Sequence, residues 1–366
     1  MVDKSGIERE FGYSHMFEGD EMNKWHVRFG LTPNCNFSCT YCAPEGGFPR
    51  QSEISLEEVT QILQASNNNG IKRVHWTGGE PTVRRDFVDC VKAAQDVGFE
   101  KQVVTTNGYN LYKNLDECIE NGLTRVIVSL DTLDKERFYH LTKKDILPRV
   151  LSSLEDSVEK MSGITKMSCC TMRSTLPEIE NMVRYVQDIN SRDNKGELVL
   201  KLNQFFASNP AQLQDHGRNY WENEMVQRDE IISALERIGP LTPMHRKNIE
   251  GDNPSYSYFT VGDTGVNVGV LSMHTDRYAC GGCHKLRIMP EGKMSVCMDT
   301  SPDYVLLGKS VEEKTQMIKD GVFFRENTLE EMKPASQRKH FHSQLGSQRF
   351  GKLGGEPINI DVFYKK

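Results

Sequence analysis

Cys35, Cys39 and Cys42 form a C-x3-C-x2-C run, with Asn36-Phe37-Ser38 and Thr40-Tyr41 between them. Three thiolates on one short loop can hold three irons of a [4Fe–4S] cube and leave the fourth without a protein ligand. Clusters that only carry electrons usually have four protein ligands, so an open corner points to a small molecule docking on iron. The chain has 10 cysteines in 366 residues; at that density chance would place three at given offsets only about 0.008 times. Zinc is the competing reading. A structural zinc takes four ligands, and this loop offers three with no fourth Cys or His beside them.

A second group repeats the pattern. Cys280-Gly281-Gly282-Cys283 is followed by thirteen residues and then Cys297. It reads as a second iron–sulfur cluster with an open iron, serving electron relay or substrate anchoring. A zinc site completed by His284 is the alternative, strained because His284 adjoins Cys283. Lys285 and Arg287 flank Leu286 and would share one face of a strand. With Arg28 and Lys166, each inside another apolar run, four cations can converge on one cavity. A forked guanidinium and a compact ammonium together suit an anionic substrate such as a phosphate ester.

These groups need a frame. Short apolar runs at Val27–Leu31, Lys72–Trp76, Lys101–Thr106, Thr124–Leu130, Thr165–Met172 and Leu198–Phe206 read as buried strands. Amphipathic stretches at Ser55–Ser66, Arg85–Val97, Tyr112–Asn121 and Pro177–Ile189 lie between them; Leu56, Val59, Ile62 and Leu63 recur at helical spacing. Such alternation predicts an α/β fold with parallel βα units and six strands. The expected organisation is an N-terminal segment over 1–23, a barrel-like unit over 24–240, a smaller iron–sulfur domain over 241–310, and a tail over 311–366. The polar, turn-rich stretch 207–223 reads as a connection or a lid.

In parallel α/β folds the chemistry sits at the C-terminal ends of the strands. The cysteine loop follows the first run at that end. The second run ends in Thr77-Gly78-Gly79-Glu80-Pro81. Its glycines let backbone approach a ligand and offer N–H groups to a carboxylate. Glu80 can pair with an ammonium, worth about 1.5–3 kcal/mol; a plain turn is the other reading. On the fourth run Ser129 and Asp131 share a face, and Ser129 wants either a ligand or local backbone as partner. On the fifth, alternation places Lys166, Ser168 and Cys170 together and Cys169 opposite. Cys170 is thus a hydrogen-atom donor or a small packing residue. Cys90 and Cys118 fall on helical patterns and read as packing.

Net charge is −6 and 37% of residues are hydrophobic. That supports a sizeable core and gives no sign of a nucleic-acid surface. Met1 to Asn23 lacks the apolar core of a signal peptide, and no run of 18 apolar residues exists; a cytoplasmic protein without membrane attachment is expected. His340 and His342 sit in a basic patch of the tail.

Together the motifs resemble the radical S-adenosylmethionine (SAM) superfamily and, within it, the GTP 3′,8-cyclase family of molybdenum-cofactor biosynthesis. The likeness runs over about residues 24–300. It is carried by both cysteine groups, Thr77-Gly78-Gly79-Glu80-Pro81, Thr105-Thr106-Asn107-Gly108, Ser129-Leu130-Asp131, Gly122-Leu123-Thr124 and Leu286-Arg287. The resemblance implies a six-stranded partial βα barrel and two [4Fe–4S] clusters, the first binding SAM and the second the nucleotide. It implies a 5′-deoxyadenosyl radical that takes hydrogen from the ribose, after which the sugar radical attacks guanine. By position, Tyr41, Gly78, Gly79, Glu80 and Ser129 would contact SAM. Arg28, His75, Thr105, Lys166, Lys285, Leu286 and Arg287 would contact the nucleotide. An external electron donor and a homodimer are further expectations. The sequence departs from the family at His75 and Lys285, where arginines are usual, and at Ser168, where asparagine is. Gly354-Gly355 is followed by eleven more residues, whereas the family chain ends in Gly-Gly. These departures keep open a relative acting on another nucleotide, a sugar or a peptide. A zinc-bearing interaction protein is the non-enzyme alternative.

Overall fold

Alternation of buried and half-buried residues, complete in the strand Lys101–Thr106 and partial in its neighbours, runs through the sheet of the computed structural model, which describes residues 24–42, 53–205, 220, 223–244, 256–272, 284–296 and 304–331. β1 (His26–Gly30), β2 (Arg73–Thr77), β3 (Lys101–Thr106), β4 (Leu123–Ser129), β5 (Gly163–Thr171) and β6 (Gly196–Gln204) lie side by side in chain order, all parallel. Parallel neighbours need long crossovers. Helices α1 (Leu56–Asn68), α2 (Phe87–Val97), α3 (Leu111–Glu120), α4 (Lys135–Thr142), α5 (Leu147–Lys160) and α6 (Ile179–Asn190) supply them.

The sheet is wider than six strands. β7 (Leu241–Pro243), β8 (Ser257–Val261) and β9 (Val266–Leu271) extend the β6 edge, with β9 parallel to β6 and β8 and β7 antiparallel. β10 (Lys285–Ile288) lies parallel to β1 at the other edge, and β11 (Lys293–Ser295) and β12 (Tyr304–Val305) follow antiparallel. The described residues therefore form one twelve-stranded sheet, β12-β11-β10-β1-β2-β3-β4-β5-β6-β9-β8-β7. The described strands after residue 240 join this sheet at both edges rather than making a sheet of their own. α7 (Arg228–Glu236) precedes β7, and α8 (Val311–Glu331) follows β12. Lys314 of α8, fully buried, is anchored by Glu58 (3.0 Å), Gln61 (2.6 Å) and the Lys309 carbonyl (2.6 Å).

One face of the sheet is apolar. Val27, Phe29, Val74, Trp76, Val104, Val126, Val128, Met167, Leu200 and Leu202 are buried in a single core with the helices. Each such side chain contributes about 1.5–3 kcal/mol on burial. The other face carries Arg28, His75, Thr105, Ser129, Lys166, Ser168, Cys170, Lys201 and Asn203, paired row by row through the ladders. This polar face is the inner one of a curled sheet. Tyr41, in the loop after β1, packs edge-on against Phe205, just after β6, at 6.3 Å between ring centroids. Flat strands would set β1 and β6 five spacings apart, about 24 Å.

No helix among the described residues is long and apolar enough to cross a membrane. Cys280, Cys283, Cys297, the 1–23 segment, most of 207–223, His340, His342 and Gly354-Gly355 lie outside the described residues.

Candidate active site

Every motif of the first six strands ends at one rim, because parallel strands present all their C-terminal ends on one side. The cysteine loop leaves β1 there and is tied down at once. Leu31 N–H donates to the Thr77 carbonyl (2.8 Å), Gly79 N–H to Thr32 (2.7 Å) and Glu80 N–H to Asn34 (2.8 Å). A side chain at Gly79 would put its Cβ 2.2 Å from the Asn34 oxygen, so only glycine fits. The expectation that amides of this turn are offered to a ligand carboxylate is narrowed by these bonds. The Gly79 and Glu80 amides join the turn to the cysteine loop instead.

Further along, Ser38 and Thr40 N–H groups donate to the carbonyls of Thr142 (3.3 Å) and Leu141 (2.9 Å) at the end of α4. Phe37 packs edge-on to Tyr109 and Phe138. The loop is thus braced by β2 on one side and α4 on the other. Cys35 and Cys42 are exposed and Cys39 is half-buried. Cys35 Sγ accepts from Phe37 N–H (3.3 Å) and, at 3.9 Å, from the Asn107 amide.

Although Cys35 and Cys42 are reachable at the surface of the loop, the atoms packed around the sulfurs push all three thiols up, Cys42 to about 11, and at Cys39 the charges of Asp131, Cys42 and Cys35 add to the rise. Thiolates so placed need a cationic partner to form at neutral pH. Among the described residues no three His, Cys, Asp or Glu side chains converge on one metal ion. A cube does not require that, since it takes one thiolate at each of three separate corners. Soft donors, hydrogen bonds to sulfur and a braced loop fit a [4Fe–4S] group held by Cys35, Cys39 and Cys42.

Glu80 is buried beside the loop. Its Oε1 accepts from Thr82 N–H (3.1 Å), Thr82 Oγ1 (2.6 Å) and Thr106 Oγ1 (2.7 Å), and its Oε2 from Asn107 N–H (2.6 Å). Burial raises its pKa and these donors oppose the rise. Oε1 is saturated, so only Oε2 keeps room for an ammonium. Tyr41 donates its hydroxyl to Asp131 Oδ2, and Cys170 N–H donates to Oδ1 (2.7 Å). Burial lifts the Asp131 carboxyl to about 6, against the pull of these two donors. Ser129 stands half-buried in register with Ser168.

Deeper in the chamber, Arg287, Arg28 and His75 form one row across β10, β1 and β2. Arg28 donates to His75 Nδ1 (3.4 Å), and His75 Nε2 bonds Thr105 Oγ1 (2.7 Å). An arginine can only donate, so Nδ1 is the unprotonated nitrogen and the ring is neutral. Burial, then the fields of Arg28, His26, Lys285 and Lys201, hold the His75 pKa well below the usual imidazole range. Lys285 pairs in register with His26 one row back. Leu286 is the exception among the expected contacts. It is fully buried, in register with Val27 on the helix-facing side, so its side chain serves the core and only its backbone belongs to the chamber edge.

On the opposite wall Lys166 approaches the Tyr258 hydroxyl (3.5 Å) and ring (5.8 Å). Lys201 lies 4.1 Å over the Tyr256 ring. The sequence reading names Lys166 but misses Lys201, Asn203, Tyr256 and Tyr258. Lys201 alternates with Leu200 and Leu202, the same signal that flags Lys166, and was there to be used. Nothing local marks the tyrosines, whose strand reaches β5 and β6 only through β9.

A parallel α/β sheet with three cysteines at its rim and a cation-lined interior defines an iron–sulfur enzyme of the SAM-dependent radical class. A sequence profile of the radical SAM superfamily matches residues 30–186. The chain is 31% identical to GTP 3′,8-cyclase 2 of Pseudomonas aeruginosa, over 75% of this chain and 78% of that one. It is 29% identical to the GTP 3′,8-cyclase of Aliarcobacter butzleri, over 75% and 80%. Among solved structures, Streptococcus suis SuiB bound to S-adenosylmethionine shares the fold, with a TM-score of 0.50 and 13% identity over 79% of this chain; the chain spans 64% of that protein. The chain belongs to the radical SAM superfamily and to the family of the proteins named GTP 3′,8-cyclase. It is therefore an enzyme that works with a [4Fe–4S] cluster and SAM.

Proposed function

We propose that this enzyme converts a nucleotide, GTP first, by a radical cyclisation that forms a carbon–carbon bond. The observation that carries the reading is the row Arg287–Arg28–His75, with Lys285 behind it, on the strands leading into the cysteine loop. It offers forked donors to phosphate oxygens beside the place where SAM would bind. In this reading Cys35, Cys39 and Cys42 hold the SAM-binding cluster. Tyr41, Gly78, Gly79 and Ser129 line the SAM site and Glu80 Oε2 takes its ammonium. Cys280, Cys283 and Cys297 hold a second [4Fe–4S] cluster in a unit over 241–310, at the mouth of a barrel over 24–240. Arg28, Thr105, Lys166, Lys285, Arg287 and the Leu286 backbone receive the nucleotide.

When bound and reduced by an external donor, the SAM-binding cluster supplies a 5′-deoxyadenosyl radical. The residues of the chain do the rest. The braced loop fixes where the radical arises. The cationic row sets the substrate's anionic end, and the apolar walls and aromatic lining exclude water and stray hydrogen donors.

A second reading is favoured by His75. It is neutral where the family carries a guanidinium, which lowers the positive charge offered to a triphosphate and suits another nucleotide, a sugar or a peptide, with Cys170 as hydrogen donor. The test is anaerobic purification and reconstitution with iron and sulfide, followed by a 5′-deoxyadenosine assay with GTP, other nucleotides and peptides. About eight irons per chain are expected for two cubes, with turnover of a nucleotide. Zinc in place of iron would overturn the enzyme assignment, and turnover of peptides alone would overturn the nucleotide.

A further inference from the structure

Ser168 lies on the inner face of β5, and the structure gives it neighbours of its own. Asn203 Nδ2 donates to Ser168 Oγ (2.8 Å). The Tyr256 hydroxyl donates to Asn203 Oδ1. Tyr256 is buried at 4% exposure, its ring capped by Lys201 at 4.1 Å and set against Tyr258 at 5.8 Å between centroids. Asn203 pairs in register with Cys170, one step nearer the rim than Ser168 and Lys201, so its amide reaches back along the polar face.

Direction follows from chemistry. A hydroxyl held against a carbonyl oxygen must donate. The Asn203 amide is set with Oδ1 toward Tyr256 and its N–H₂ toward Ser168. Ser168 Oγ then accepts, and its own proton is turned away from Asn203. Ser168 is half-buried, beside Ser129 in the same row of the inner face. Its proton is left for another acceptor.

We infer that Tyr256 and Asn203 are positioning residues that hold Ser168 as a hydrogen-bond donor toward the substrate, so that this position selects an acceptor oxygen, such as a carbonyl or ribose oxygen, over a donor group. The inference rests on the nucleotide reading of the chamber.

The experiment uses the reconstituted holoenzyme with GTP as probe and measures its dissociation constant. Ser168→Ala is expected to weaken binding about three- to tenfold, the worth of one neutral hydrogen bond. Ser168→Thr, which keeps the hydroxyl, stays within about twofold by the same argument. Tyr256→Phe keeps the ring under Lys201 and removes only the hydroxyl. It should weaken GTP by a similar factor in wild type and by nothing more in the Ser168→Ala background. A merely structural tyrosine would give additive losses, since uncoupled sites add. Additive losses overturn the positioning role. GTP bound equally by wild type and Ser168→Ala overturns the donor role while leaving the nucleotide reading intact. Failure of the wild type to bind GTP overturns both. Ser168 is small and half-buried, so its two variants keep the test decisive even if Tyr256→Phe loads iron poorly.

Discussion

The two walls of the chamber both carry cations, and they treat them in opposite ways. On the β10–β1–β2 wall Arg287 and Arg28 lie side by side, and burial, then the field of Arg28 with those of His26, Lys285 and Lys201, keeps the proton off His75. On the β5–β6–β8 wall Lys166 and Lys201 each lie over a tyrosine ring. A cation over an aromatic face is stabilised by about 0.5–2 kcal/mol, so it has less to gain from an incoming anion. The first wall gathers its cations in one row suited to the anionic end of a substrate. The second sets its cations on tyrosine rings and reads shape and hydrogen bonding. One substrate can meet both by placing its anionic end against the first wall and its neutral polar end against the second.

The largest expected effect tests that asymmetry directly. Arg28→Ala should weaken GTP binding about 10- to 100-fold, the worth of a charge-assisted bond. Lys201→Met should cost less than about tenfold, because the ammonium already rests on a ring. Equal losses, read by equilibrium dialysis on the holoenzyme, would erase the distinction between the walls.

A smaller effect concerns how the second wall is built. A Cβ at Gly269 would lie 2.6 Å from Tyr258 Cε1, so β9 needs glycine there for the ring to lie flat. Gly269→Ala should destabilise the fold by about 1–3 kcal/mol through overpacking, seen as a lower Tm. GTP affinity should then fall because Lys166 loses its support. An unchanged Tm would mean that the ring is not pressed against β9.

The smallest effect belongs to the first wall and is read in pH. Unfolded His75 takes up a proton as pH falls through about 6.5. Folded His75, held well below that by burial and by neighbouring cations, does not. The unfolded state then binds more protons, so stability is lost as pH drops below about 6.5. His26, whose pKa is lowered mainly by burial and then by Lys285, adds to the same slope. Thermal unfolding between pH 7.5 and 5.5 should show a shallower acid loss in His75→Gln than in wild type. Identical slopes would place a proton on folded His75 and remove the argument for a neutral ring.

Much of the rim was legible in the chain because its signals are local. Cysteine spacing, the Gly-Gly turn and the Ser129–Asp131 alternation each need only a few residues and one periodicity. The roles of those residues were less legible. Glu80 was readable as a carboxylate at a strand end, but not as one with Oε1 fully used by Thr82 and Thr106. Leu286 is grouped with its charged neighbours through the family resemblance, whereas pleating sends its side chain to the opposite face. The amides of Gly79 and Glu80 looked available because their acceptors, Thr32 and Asn34, are more than forty residues earlier.

What the sequence determined by itself was the parallel α/β frame and a thiol loop at its working end, since both follow from short-range patterns of apolarity and cysteine. What only the tertiary structure decided was which cations share a wall and which residue orients Ser168. Those depend on the curl of the sheet and on β8 and β10 reaching its two edges from far along the chain. Contacts across such separations are set by the packing of the whole core, and no local pattern records them.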